Sequence, residues 1–172
     1  DLVTLNIPSD KSVNTNSIEI FDQLSKNRVR NIKYLAANQF GIAISAQGDN
    51  DDVDNEVIHI WDTTKGALSS TVNTDKGEVV ALTFLPDGEH FVALHKDSNA
   101  DNQDAITVWS VNTQELIWET FLELNFIRAV TISQDNQLVV PVGNHDIWKF
   151  DSLTGEIVNK LRLQSMDNIR FV

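Results

Sequence analysis

An internal repeat with an aromatic anchor residue limits what this 172-residue chain can fold into. Three eight-residue segments, 59–66, 107–114 and 148–155, align without gaps. The third residue of each segment is aromatic: Trp61, Trp109 and Phe150. The anchors stand 48 and 41 positions apart, and an apolar residue follows each anchor after 21 more positions. Repeats of this length are typical of folds that stack one supersecondary unit against the next.

Each repeat contains short β-branched and aromatic stretches separated by turn-forming residues. In the middle repeat this pattern predicts strands near 79–84, 90–95, 105–110 and 115–121. Gly88 and Asn136 follow the first strand of two repeats, and both residue types tolerate the positive φ of a tight turn. No segment has a sustained period of 3.6 residues, so helix content should be very low. Four short strands per unit predict an all-β fold of β-propeller blades, each with four antiparallel strands.

The anchor segments resemble the repeat of the tryptophan–aspartate (WD) family. Its unit typically ends in an Ile-Trp-Asp triplet, which Ile60-Trp61-Asp62 matches in full, whereas Val108-Trp109-Ser110 and Lys149-Phe150-Asp151 match in part. The Gly-His pair that usually precedes the inner strand of that family is replaced by Asp75-Lys76-Gly77-Glu78. Segment 116–119 is similar to the outer-strand pattern of quinoprotein-like propellers. The resemblance implies a WD-like interaction scaffold and covers roughly residues 17–172.

The repeats predict a single propeller domain, or a propeller fragment, of about three and a half blades. The blades span approximately residues 29–72, 79–121 and 127–163, with strands of partial blades in 1–22 and 168–172. Closed rings usually contain about 4–8 blades. Three arrangements therefore follow: a small ring, a homodimer that closes a larger ring, or a part of a larger propeller chain.

Two long acidic loops separate the second and third strands of successive repeats. Because they occupy the same place in each repeat, both should emerge on the same face. We expect them to form a partner-binding surface with these carboxylates: Asp49, Asp51, Asp52, Asp54, Glu56, Asp97, Asp101 and Asp104. With a net charge of −12, such a face would attract a basic protein or peptide partner and repel nucleic acid.

The favoured function is therefore a non-catalytic protein–protein interaction scaffold with no cofactor. One alternative is a Ca²⁺-dependent binding propeller, because Asp49, Asp51 and Asp54 have the close carboxylate spacing that Ca²⁺ prefers. The other is a quinoprotein-like enzyme fragment, which the pattern of segment 116–119 resembles. The loops lack the ligand order of an EF-hand. The chain has no cysteine, its four histidines form no close pair, and no apolar run approaches the ~18 residues of a membrane-spanning helix.

Overall fold

Three four-stranded antiparallel sheets form the part of the chain that the structure describes. The structure is a computed structural model, and it describes residues 32–47, 57–96, 103–122, 129–143 and 145–162. Within those ranges the chain forms strands and turns without any helix, and so without one that is long and apolar enough to cross a membrane. The expected all-β fold of four-stranded propeller blades is confirmed. The partial-blade strands expected in 1–22 and 168–172 lie outside the described residues.

The strands follow one another in sequence order across each sheet, so every blade is a simple antiparallel meander. The first sheet contains β1 (Ile32–Ala37), β2 (Ile42–Gln47), β3 (Val57–Asp62) and β4 (Ala67–Asn73). The second contains β5 (Glu78–Phe84), β6 (His90–Lys96), β7 (Asp104–Ser110) and β8 (Leu116–Leu122). The third contains β9 (Thr131–Ile132), β10 (Gln137–Val142), β11 (Asp146–Asp151) and β12 (Ile157–Arg162).

The turn residues adopt the backbone conformation that their chemistry favours. Gly88 and Asn136 have φ angles of 69° and 58°, as the sequence predicts for the turn after the first strand. Between the third and fourth strands, Gly66 and Gly155 have φ angles of 62° and 72°. Gln114 takes the equivalent place in the second sheet with a φ of 58°, and its side-chain amide donates to the Val111 carbonyl at 2.7 Å.

The sheets stack face to face and bury two apolar clusters between them. The alternation of side chains along each strand gives the middle sheet two apolar faces. One face, with Phe91 and Trp109, packs with Ile44 and Ile60 of the first sheet. The other face, which includes Leu94, joins the third sheet in a separate cluster. The core is therefore a pair of layers between blades.

The aromatic anchors lie on equivalent faces of the three sheets. Trp109 packs in the cluster between the first and second sheets, and Phe150 packs in the cluster between the second and third. Trp61 is 3% exposed and lies beside Ala43, on the face of the first sheet that points away from the second sheet. Trp109 and Phe150 therefore pack between neighbouring blades, whereas the described contacts of Trp61 lie within the first sheet.

Candidate functional site

The sheet stack has two chemically different ends. At one end, the turns of neighbouring sheets touch: Asn38 Nδ2 donates to the Gly88 carbonyl at 3.0 Å, and Trp118 Nε1 donates to the Ser152 carbonyl at 3.0 Å. We call this the turn end. Because strands in a meander alternate in direction, the connections from β2 to β3 and from β6 to β7 leave from the other end, the loop end.

The acidic connections begin and finish at the loop end. The chain leaves β2 at Gln47 and re-enters at Val57, and it leaves β6 at Lys96 and re-enters at Asp104. Seven of the eight carboxylates expected to bind a partner lie outside the described residues: Asp49, Asp51, Asp52, Asp54, Glu56, Asp97 and Asp101. The candidate Ca²⁺ ligands Asp49, Asp51 and Asp54 are all among them. No group of three metal-ligating side chains occurs among the residues that are described.

Asp104 is the one expected site residue that the structure describes, and it differs from a loop residue. It is the first residue of β7, lies opposite Leu122 of β8, and is only 3% exposed. The sequence places it at the end of a polar loop, but cross-strand pairing extends β7 by one residue to include it. An exposed acidic surface at the loop end therefore has to come from the other carboxylates.

Two aspartates at the turn end accept hydrogen bonds from the backbone of their own turns. Asp62 Oδ1 accepts from the Thr64 and Lys65 amides, and Asp151 Oδ1 accepts from the Leu153 and Thr154 amides. The side-chain bond from Lys65 lowers the pKa of Asp62 far below its usual range. The bonds from the Thr154 and Leu153 amides lower the pKa of Asp151. These carboxylates stay ionised and hold turns in shape, so they are poorly suited to proton transfer.

A buried hydrogen-bond chain links three side chains of the second sheet. Trp109 Nε1 donates to Thr107 Oγ1 at 2.8 Å, and His95 Nε2 lies 2.8 Å from the same oxygen. The Thr107 hydroxyl also donates to the Ala93 carbonyl at 3.4 Å. The other ring nitrogen of His95, Nδ1, faces the Gly77 carbonyl at 3.4 Å. Burial lowers the pKa of His95 to about 4, so the ring is neutral at pH 7.

The buried polar contacts of the first and second sheets involve an aromatic anchor and a neighbouring hydroxyl. His95 comes from β6 and reaches the Thr107 hydroxyl from within the sheet. In the first sheet, Trp61 Nε1 donates to Ser45 Oγ at 2.9 Å. The ring of His59 stacks on Trp61 at 6.0 Å, as its place two residues before the anchor predicts. The alternation of Phe91, Ala93 and His95 along β6 is the sequence signal that could have identified His95 as buried.

A small cavity opens between the first and second sheets near the turn end. Its volume is about 170 Å³, and Trp61 and Asp62 line one side while Asn112 and Gln114 line the other. Pockets for drug-sized ligands usually have volumes of about 300–1,000 Å³. The Asp62 carboxylate and the Gln114 amide that line the cavity already form hydrogen bonds within their own turns. It therefore offers little room for a substrate.

Comparison with known proteins identifies the fold alone. No family model and no curated protein matches the chain. Among solved structures, 878 chains match, so the architecture is a common one. One is the crystal structure of the computationally designed Ika8 protein, which superposes with a TM-score of 0.59 at 24% identity. The match covers 76% of this chain and 36% of the designed protein. The class is thus a stack of propeller-type blades, and the function has to be argued from its surfaces.

Proposed function

We propose that this protein is a WD-like β-propeller segment that acts as a non-catalytic interaction scaffold, with acidic loops that recruit a basic protein or peptide partner. The observation that supports it most directly is the position of two loops. Both acidic connections leave from the loop end of two sheets that pack against each other. A rigid β-scaffold that carries variable loops at one end is a frequent design for binding proteins.

The charge of the two connections supports a basic partner. Residues 48–56 contain five carboxylates, and residues 97–102 contain two more, without a lysine or arginine in either segment. Charges of one sign add their fields over a Debye length of about 8 Å at physiological salt. Such a surface accelerates association with Lys- and Arg-rich segments and repels phosphate backbones.

The chemistry of the described residues supports a non-catalytic role. Asp62 and Asp151 hold turns, and the His95 ring is buried without any exposure. A general acid or base must reach a substrate within hydrogen-bond distance, which a fully buried ring cannot do without rearrangement. Binding through the loop surface requires no such rearrangement.

The test compares two triple variants that remove the same number of negative charges from opposite ends. The loop variant carries Asp51→Asn, Asp52→Asn and Asp54→Asn. The control carries substitutions of three exposed carboxylates at the turn end: Glu89→Gln, Glu115→Gln and Glu156→Gln. The probe is a synthetic peptide of alternating lysine and serine, titrated by calorimetry at low and physiological salt. We expect the loop variant to bind about tenfold more weakly and the control to bind within about twofold of wild type.

Equal weakening by both triple variants would contradict the proposal, because the peptide would then sense only net charge. A parallel titration with Ca²⁺ alone tests the alternative function. Heat of Ca²⁺ binding that disappears in the loop variant would replace the acidic-surface proposal with a Ca²⁺-dependent binding propeller.

A further inference from the structure

The outer strands of the three sheets expose very different side chains. Each of β4, β8 and β12 is the last strand of its sheet. On β4, the exposed residues are small and polar: Ser69, Thr71 and Asn73. On β8, Ile117 and Phe121 are exposed, but Lys76 bridges to this strand. Its Nζ lies 2.6 Å from Glu119 Oε2 and 5.4 Å from the centre of the Phe121 ring.

The third outer strand, β12, is exposed along its whole length. All six of its residues are exposed, and Ile157, Val158 and Leu161 are 46%, 51% and 53% exposed. It carries Lys160 and Arg162 and has no carboxylate. In a chain of net charge −12, this strand is a local exception in charge.

The two faces of β12 differ in chemistry. Lys160 lies opposite Trp148 in the ladder, and its Nζ is 3.6 Å from the centre of that ring. Arg162 lies two residues further on the same face, with its side chain 82% exposed and its Nε 3.7 Å from Asp146 Oδ1. Leu161 lies on the other face, opposite Ile147, whereas Ile157 lies opposite Phe150 and so shares the face of Lys160 and Arg162. At its C-terminal end, β12 therefore has two cations on one face and Leu161 on the other.

We propose that β12 is a docking edge for an extended partner strand whose residues alternate between acidic and apolar side chains. An added strand bonds to the main chain of the edge, and its alternate side chains lie beside the two faces of the neighbouring strand. Carboxylates would lie beside Lys160 and Arg162, and an apolar side chain would lie beside Leu161. The edge differs from the loop surface in both position and charge, and it selects the opposite kind of partner.

The experiment uses two synthetic nine-residue peptides, one of alternating valine and glutamate and one of alternating valine and lysine. Binding to the full chain is titrated by calorimetry, and amide hydrogen exchange maps the protected strand. We expect the glutamate peptide to protect residues 157–162 and to bind at least tenfold more tightly than the lysine peptide. The variant Arg162→Glu should weaken binding of the glutamate peptide about tenfold.

The matched control is Lys96→Glu, which makes the same charge change at an exposed residue at the end of β6. It should leave the affinity within about twofold of wild type. The proposal is overturned if neither peptide binds, if the two peptides bind equally well, or if protection appears on another strand. It is also overturned if light scattering shows a dimer that Arg162→Glu dissociates, because the edge would then pair with a second copy. Circular dichroism of both variants verifies that the sheets remain folded.

Discussion

The neutral, buried ring of His95 should make the stability of this protein fall as the pH drops below neutrality. In the folded state the pKa of the ring is lowered to about 4, chiefly because burial disfavours the charged form. Nearby Lys76 lowers the pKa further, and Glu119 opposes that effect. In the unfolded chain the ring returns to its ordinary value of 6.5. The unfolded state therefore binds a proton first as the pH falls.

The sign and size of the effect follow from proton linkage. Stability from this group is complete above pH 6.5 and is lost progressively between pH 6.5 and pH 4. Between pH 7 and pH 5 the loss amounts to about 2 kcal/mol, and the full difference in pKa corresponds to about 3 kcal/mol. The turn carboxylates with lowered pKa values lose their contribution only at lower pH, so they do not mask the effect.

Urea unfolding of wild type and of His95→Gln at pH 7 and pH 5 measures this contribution. The variant should be less stable at pH 7, because it replaces a buried ring. Glutamine keeps an amide that can bond to Thr107 but cannot titrate, so between the two pH values the variant should lose about 2 kcal/mol less stability than wild type. The variant His90→Gln, on the same strand, should retain the decrease that His95 causes. Equal pH dependence in wild type and His95→Gln would refute the assignment of a buried neutral ring.

Two further changes test contacts between and within the blades. Gly88→Ala should destabilise the protein by about 1–3 kcal/mol in urea unfolding, since φ is +69° and a Cβ would overlap the Phe40 ring. Adding Phe40→Ala should recover part of that loss, and no recovery would exclude the overlap as the cause. A double-mutant cycle of Trp61→Phe and Ser45→Ala should give a coupling energy of about 1 kcal/mol, as expected for the buried indole–hydroxyl bond. A coupling energy of zero would show that the bond contributes nothing to stability.

Local sequence patterns predicted the strands and turns closely. The expected strand at 79–84 is observed as Glu78–Phe84, and that at 105–110 is observed as Asp104–Ser110. Strand identity depends on side chains within a few residues and on turn residues such as Gly88, whose φ follows from its own chemistry. The candidate site is less predictable, because loop composition assigns eight carboxylates to it, and the one that the structure describes, Asp104, is a buried strand residue.

The sequence by itself determined the repeat, the four-strand unit, and the aromatic anchors at Trp109 and Phe150. These follow from residue type and spacing, which act along the chain. Only the tertiary structure decided which side chains share a buried network and which outer strand carries exposed cations. His95 titrates unusually because it is fully buried, and β12 is basic and exposed while Lys76 bridges to β8. Burial and charge pairing depend on distances between sheets, and no pattern within one repeat contains those distances.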